Sequence, residues 1–376
     1  MGKKKTLGLV RGTREAVIKF YENFEKFDVH FIAGSFRPFT YKSSKKNFKF
    51  INLPFYKPFG IDPAGVLKQR GNLSWIFIKG LEKNLQGCDV VSITDTYYFF
   101  NLQAVIWAKK NKVPVVTVIW TTIPHHITSW FPPYSYITRK VIKATDLFIL
   151  RSKSALKFTD SLGIPRQKTK VIYKGVDLTR FSPAVTSHNS QVIKILFTGN
   201  LSRAKGLDDL LLVYQDLKDR YLNLRLIIAG DGELAKEVRR LSLDLRGRID
   251  FRGFVPYHKL SSLYQEADIY CAPSKFRKFL GIKLWEEYFS YALMEAQASG
   301  LAIVATKTGG IPEEVGKNSL LVAPGDREGL KKALERLIVD KRLRKRLGQE
   351  NRKQAEKLFD AKTQAKKTED AILELL

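Results

Sequence analysis

What most narrows the possible folds is an alternation, met twice along the chain, of short apolar runs with segments whose apolar residues recur at helical spacing. In the first half the runs are Thr6 to Val10, Val29 to Ala33, Asp89 to Ile93, Pro114 to Trp120, Leu147 to Leu150 and Lys170 to Tyr173. Helical periods lie between them at Arg14 to Phe24, Phe100 to Lys110, Tyr136 to Lys143 and Lys153 to Leu162. Alternation of this kind predicts parallel strands wrapped by helices. The pattern then restarts, with strands at Val192 to Thr198, Leu224 to Ala229 and Ile249 to Arg252, helices at Leu207 to Asp219 and Glu233 to Leu241, and so on to Val322. The polar stretch Asp177 to Ser190, which contains Pro183, reads as a linker. With 376 residues the chain exceeds the roughly 250 to 300 at which a single core stops growing. The expected class is therefore α/β, with two doubly wound, Rossmann-like parallel-sheet domains facing a cleft at the carboxyl ends of their strands.

Cys88 and Cys271 are the only cysteines, both in apolar surroundings, which reads as buried thiols rather than a disulfide framework or a metal site. No apolar run approaches the roughly 18 residues of a membrane span, and the amino terminus lacks the apolar core of a secretory leader. The start Met-Gly-Lys-Lys-Lys-Thr6 formally fits an acylation signal, but Thr6 already opens the first strand-like run.

Lys and Arg number 65 against 37 Asp and Glu, a formal charge of +28 that favours anionic partners. Between Arg37 and Lys57 stand Arg37, Lys42, Lys45, Lys46, Lys49 and Lys57 with no acid, interleaved with Phe36, Phe39, Tyr41, Phe48, Phe50, Phe55 and Tyr56; Trp75, Phe77 and Lys79 continue the theme. This mixture suits a membrane interface, base stacking, or a strand half in the core and half in water. A second basic-aromatic stretch, Lys275 to Trp285, fits a lid, a further membrane contact, or a packed loop.

Glu287 and Glu295 stand eight residues apart. Ser290 is an expected N-cap, Tyr291 to Ser299 a helix and Gly300 its left-handed stop, so Glu287 precedes the helix and Glu295 lies one turn inside it. Backbone N–H groups at Ser290 and Tyr291 could receive an anion with a carboxylate on either side, a layout suited to a sugar nucleotide. The plainer alternative is two solvated glutamates. Glycine turns follow several strand-like runs: Gly199 to Gly206, with Asn200, Arg203 and Lys205; Gly230-Asp231-Gly232; and Gly309-Gly310 before Pro312. Glycine there permits close backbone approach, and Arg203 and Lys205 could neutralise a diphosphate.

Together these residues resemble the retaining GT-B glycosyltransferases of family 4, the group 1 glycosyl transferases. The resemblance rests on Lys174-Gly-Val-Asp177 with Phe181 and Pro183, on Gly199 to Gly206, on Glu287 to Glu295, on Gly309 to Glu313 and on Leu320 to Asp326. It implies a nucleotide-diphosphate sugar, UDP- or GDP-linked, as donor and an acceptor hydroxyl; the basic-aromatic segment Arg37 to Lys57 suggests that the acceptor is lipid-linked or a membrane-associated glycan. It implies domains at 1–182 (acceptor side) and 183–355 (donor side), with 356–376 crossing back to the first. Lys205, with Arg203, would contact the diphosphate, Glu287 the transferred sugar and Glu295 the ribose. Gly253, Phe254 and Val255 would meet the base, Phe289 would keep the loop's aromatic, and Gly12 would approach the phosphates. The family commonly has arginine where Asn200 stands, glycines where Tyr288 and Ser290 stand, asparagine at Lys174, and a histidine where this chain reads Trp120-Thr121-Thr122. His126, or His125, is the candidate to replace that histidine. No Asp-x-Asp occurs, so no metal and no other cofactor is expected. The expected location is the cytoplasmic, inner face of a membrane with an anionic surface, without nucleic-acid binding and with oligomeric state open. The rival readings are a sugar-nucleotide epimerase or hydrolase of the same fold, and a non-enzymatic nucleic-acid binder.

Overall fold

The computed structural model describes residues 4–36, 39–56, 76–184, 191–245 and 247–376. The chain divides into two compact units, Met1–Lys174 together with Ala361–Leu376, and Gly175–Asp360. In the first unit the strands are β1 (Lys5–Arg11), β2 (Phe27–Ser35), β3 (Phe48–Tyr56), β4 (Phe77–Ile78), β5 (Val90–Thr94), β6 (Val115–Ile119), β7 (Leu147–Leu150) and β8 (Thr169–Val171). They form one sheet in the order β4-β3-β2-β1-β5-β6-β7-β8, parallel except for the β3–β4 pair. Helices cover both faces, which is why the strands are apolar runs rather than alternating ones. Leu7, Leu9, Phe31 and Ile149 face Tyr21, Phe24, Ala365 and Ile372, while Val10, Ile32, Val91 and Val115 face Phe100, Ala104 and Val141. The first of these faces is thus covered in part by the carboxyl-terminal helix Ala361–Leu373.

The stretch after residue 38 settles one of the three readings given above for its aromatics. Phe50 stacks on Phe31, with centroids 5.8 Å apart, and takes the edges of Phe39 and the ring of Tyr41 at 5.7 Å. Gly34 leaves the space that Phe55 fills, since a Cβ there would lie 2.2 Å from that ring. These rings belong to the core, and Lys42, Lys45, Lys46 and Lys49 point to solvent. The membrane and base-stacking readings therefore lose most of their aromatic residues here; Arg37, Lys57 and Trp75 lie outside the described residues.

The second unit holds β9 (Ile193–Thr198), β10 (Leu224–Ala229), β11 (Ile249–Gly253), β12 (Ile269–Ala272), the hairpin β13 (Arg277–Phe279) and β14 (Ile282–Trp285), β15 (Ala302–Thr306) and β16 (Leu320–Val322). Its main sheet runs β11-β10-β9-β12-β15-β16, all parallel, with the order reversing between β9 and β12. In the first unit the reversal falls between β1 and β5. The chain passes from one unit to the other after Lys174 and again after Asp360, where 182 and 355 were expected. Phe181 is buried against Tyr257 and Tyr264, at 5.7 and 5.6 Å, so the residues before Pro183 already pack in the second unit. The helix Lys341–Leu358 runs unbroken through position 355. Cys271 lies within β12 and Cys88 just before β5, both buried and free. No helix among the described residues is long and apolar enough to cross a membrane.

Candidate functional site

The carboxyl end of the β9–β12 pair carries the charges. After β9 the chain runs through Gly199 into a short turn at Arg203–Lys205, and Gly206 then opens the helix Leu207–Lys218. Gly206 has φ +69°, and a Cβ on it would sit 1.9 Å from the carbonyl oxygen of Pro273, just past β12. Only glycine permits that contact, which holds the Lys205 turn against the end of the neighbouring strand. Lys205 Nζ forms an ion pair with Glu287 Oε2, and the Ser274 hydroxyl donates to the same oxygen at 3.4 Å. The Trp285 ring centre lies 5.1 Å from Lys205 Nζ, within range of cation–π attraction. Glu287 is buried, so Lys205 supplies the counter-charge that a carboxylate out of water requires. A small cavity here is lined by Thr198, Lys205, Tyr270, Ser274, Glu287 and Ser290, among others.

The third glycine turn fixes the loop that bears Glu287. Gly309 has φ +54°, and a Cβ there would lie 1.9 Å from the Glu287 carbonyl oxygen; at Gly310 it would lie 1.9 Å from that of Tyr288. The Gly310 N–H donates to the Glu287 carbonyl at 2.9 Å. A side chain at either position would push Glu287 away from Lys205.

Ser290 occupies the N-cap position of the helix Tyr291–Ala298 without a side-chain capping hydrogen bond, and Gly300 follows the helix in the left-handed region at φ +71°; the cap position is as expected for Ser290. Its backbone N–H, however, donates to Glu314 Oε2 at 2.8 Å. The anion at that N–H is thus a buried carboxylate of the chain itself, a correction to the expectation that a ligand takes it. Glu295 is also buried and accepts a hydrogen bond from the Tyr264 hydroxyl at 2.8 Å. That hydroxyl lies 2.8 Å from Thr198 Oγ1, which is 3.2 Å from the Tyr270 hydroxyl. Burial, followed by the negative charge of Glu295, raises the Tyr264 phenol well above its ordinary range, so it remains a donor.

Residues 179–354 match the family described as Glycosyl transferases group 1, and residues 23–180 match Glycosyltransferase Family 4. The chain belongs to the group 1 glycosyltransferase family. It is 32% identical over 177 residues to the putative colanic acid biosynthesis glycosyltransferase WcaL of Escherichia coli, a match covering 46% of this chain and 43% of that one. The matched stretch is thus less than half of that relative's length. The fold is shared with HepE of Anabaena, solved with UDP and glucose, at a TM-score of 0.71 and 17% identity over 98% of this chain and 99% of that one. It is shared also with sucrose-phosphate synthase of Thermosynechococcus elongatus, at 0.75 and 16% over 99% of each.

The remaining expected residues of this group 1 chain divide by place. Arg203 donates its backbone N–H to Glu233 at 2.9 Å, while its guanidinium is in solvent, 3.9 Å from Asp208. Asn200 is exposed. Gly199, Gly230 and Gly253 are stitched together, with the Gly199 N–H on the Ala229 carbonyl at 3.0 Å and the Gly230 N–H on the Gly253 carbonyl at 2.7 Å. Gly232 lies against Leu201, where a Cβ would be 2.6 Å from the carbonyl. Phe254 is 77% exposed beside half-buried Val255, an apolar ring left in solvent at the end of β11. Phe289 is buried against Phe359, 5.7 Å away, and so anchors its loop from behind; Tyr291 is half-buried. In the first unit Gly12 is exposed after β1. His126 is buried and accepts from the Thr128 N–H at 3.4 Å, capping the short helix Ile127–Trp130. Among the described residues no group of three or more His, Cys, Asp or Glu gathers as a metal site.

Sequence reasoning passed over Ser274, Tyr264, Trp285 and Glu314. Tyr264 sits at helical apolar spacing and reads as core, while Glu314 reads as an ordinary first-turn acid. For Trp285, adjacency to Glu287 in the basic-aromatic stretch was the available signal.

Proposed function

We propose that the chain transfers a sugar, with retention of configuration, from a nucleotide-diphosphate sugar, UDP- or GDP-linked, to an acceptor hydroxyl on a lipid or membrane-associated glycan at the cytoplasmic face of a membrane. The observation that carries this reading is the Lys205–Glu287 ion pair at the strand-order reversal of the second unit, where open α/β sheets take their ligands. Breaking the bond between the sugar and the diphosphate builds positive charge on the sugar and negative charge on the leaving group. With no donor present, Glu287 neutralises Lys205. A bound diphosphate takes over that role, assisted by Arg203, and releases Glu287 to hold the transferred sugar. Electrostatic stabilisation of the leaving group then supplies most of the acceleration. The acceptor oxygen bonds to the anomeric carbon on the face the diphosphate leaves, and the acceptor proton passes to the departing phosphate oxygen. Glu287 positions and stabilises without a covalent bond, and Glu295 receives the ribose hydroxyls beside Tyr264. No metal takes part.

HepE, which shares the fold, has been solved with UDP-glucose, which supports beginning the donor search with uridine nucleotides. A thermal-shift panel of UDP-, GDP- and ADP-sugars tests the reading. One nucleotide class raises the melting temperature, with a stabilisation of about 2.7 kcal/mol at a hundredfold excess over Kd. No shift with any donor overturns the reading. Turnover persists in EDTA; loss of activity restored by Mg2+ or Mn2+ contradicts metal-independent transfer.

A further inference from the structure

Among the described residues the hairpin β13–β14 pairs with no other strand. A two-stranded ribbon alone is marginal in water, so its anchorage matters. At its first foot the Lys275 N–H donates to the Ala204 carbonyl at 2.8 Å, and Lys275 Nζ lies 3.1 Å from Asp208 and 2.6 Å from Asp209. At the second foot Trp285 faces Lys205. Both feet are therefore fixed at the proposed donor site, while the tip extends from it.

The tip is built against ordinary preference. Leu280 and Gly281 form the turn with φ +47° and +78°. Glycine suits such a turn, but a leucine in the left-handed region carries backbone strain, where asparagine or aspartate would serve better. Leu280 is also 84% exposed and Phe279 beside it 64%. Neither folding nor solubility favours two large apolar residues at this point. The charges are equally one-sided, since residues 275–285 contain Lys275, Arg277, Lys278 and Lys283 and no acid. Lys278 stands opposite Lys283 across the ribbon, and both ammonium groups lie over the Phe276 ring, at 5.0 and 5.5 Å. Like charges facing across a strand pair disfavour it. Glu286 relieves Lys283 at 2.8 Å, whereas Arg277 and Lys278 form no ion pair among the described residues.

We propose that this hairpin is a membrane-contacting finger: Phe279 and Leu280 enter the boundary between headgroups and acyl chains of an anionic bilayer, and Arg277 and Lys278 meet its phosphates. An apolar tip with flanking cations is complementary to such a surface, and an anionic headgroup removes the repulsion across the ribbon. The finger would hold the donor site at the surface where a lipid-linked acceptor resides. This deepens the proposed function and rests on its membrane-surface acceptor. Vesicle capture needs no sugar donor, however, so it can fail while donor binding stands, and the reverse.

The test is co-sedimentation of the full chain, at low salt, with vesicles of phosphatidylcholine alone and of phosphatidylcholine mixed with phosphatidylserine. Wild type partitions to the mixed vesicles. Phe279→Ser combined with Leu280→Ser, and separately Arg277→Glu combined with Lys278→Glu, each lower that partition about tenfold or more. The thermal shift with nucleotide sugar stays as in wild type, which establishes that both variants are folded. Three results overturn the proposal: equal capture of wild type by neutral and mixed vesicles, capture of both variants as strongly as wild type, or loss of a dimer in sedimentation velocity with vesicle binding unaltered. The last would make the tip a contact between two copies of the chain.

Discussion

The two units have the same kind of strand-order reversal and use it differently. At β9–β12, Lys205 and Glu287 face a cavity. At β1–β5, the polar groups are consumed internally. Arg11, at the end of β1, donates to the carbonyls of Val10 and Ser92, both at 2.9 Å, to Ser92 Oγ at 2.7 Å and to the Tyr21 hydroxyl at 3.0 Å. Asp95, immediately after β5, has φ +51° and accepts from the Trp120 N–H at 3.0 Å and the Thr121 hydroxyl at 3.3 Å. One topology thus sets a charged pair beside a cavity in one unit and a buried brace in the other. The difference is that Lys205 and Glu287 pair beside a cavity, whereas Arg11 and Asp95 are buried among backbone and hydroxyl partners.

The largest expected effect is at the open end. On the proposed mechanism Lys205→Ala removes the cation that stabilises the leaving group and should lower kcat by about 10² to 10³, measured with the donor identified by thermal shift. It also leaves buried Glu287 unpaired, so the variant should lose stability. If Lys205→Ala kept full turnover while Asp95→Asn abolished it, the assignment of chemistry and brace would be reversed.

Gly309→Ala should come next. Its Cβ meets the Glu287 carbonyl in a left-handed conformation, so we expect a loss of roughly 2 to 3 kcal/mol in denaturant unfolding and a fall in turnover. Stability lost with turnover intact would show that the turn holds the fold without setting the position of Glu287.

The smallest expected effect on turnover lies in the brace. Burial raises the Asp95 carboxyl to about 6, partly offset by the Trp120 and Thr121 hydrogen bonds and by Arg11. The folded state then holds the proton more tightly than the unfolded chain, whose carboxyl titrates near 3.9. Stability should therefore fall as pH rises from about 4 through 6 and stay lower above. Asp95→Asn keeps an oxygen acceptor without the charge. Its stability relative to wild type should rise over that window by on the order of 3 kcal/mol, with turnover unchanged. Parallel pH profiles for the two proteins would remove Asp95 as the source.

Much of this was legible in the sequence, for physical reasons that differ by element. Buried parallel strands are continuous apolar runs, so Leu147–Leu150 and Leu224–Ala229 coincide with their expected limits. The strand Phe48–Tyr56 was one of three readings of its stretch, because lysines in water and aromatics in the core produce the same composition as a membrane-facing segment. Hairpin residues 277–285 were expected as a lid, membrane contact or loop, since a three-residue strand leaves little periodicity to detect. Around the site, Lys205, Glu287 and Gly309 stood out by residue type and spacing. The Ser290 N–H could not be assigned, because its partner Glu314 lies 24 residues later and is brought back only by the Gly309-Gly310 turn. Tyr264 behind Glu295 was hidden likewise, as a phenol at an apolar helix position looks the same whether or not its hydroxyl is used.

The carboxyl-terminal helix Ala361–Leu373 belongs to the unit made by the beginning of the chain. During synthesis, the contiguous residues 175–360 can complete their sheet while the amino-terminal sheet still lacks Ala365, Ile372 and the Thr368 hydroxyl that lies 3.5 Å from Arg151. The first sheet is therefore completed only after the chain has traversed the second unit and returned, and until then its buried Arg151 lacks the Thr368 hydroxyl.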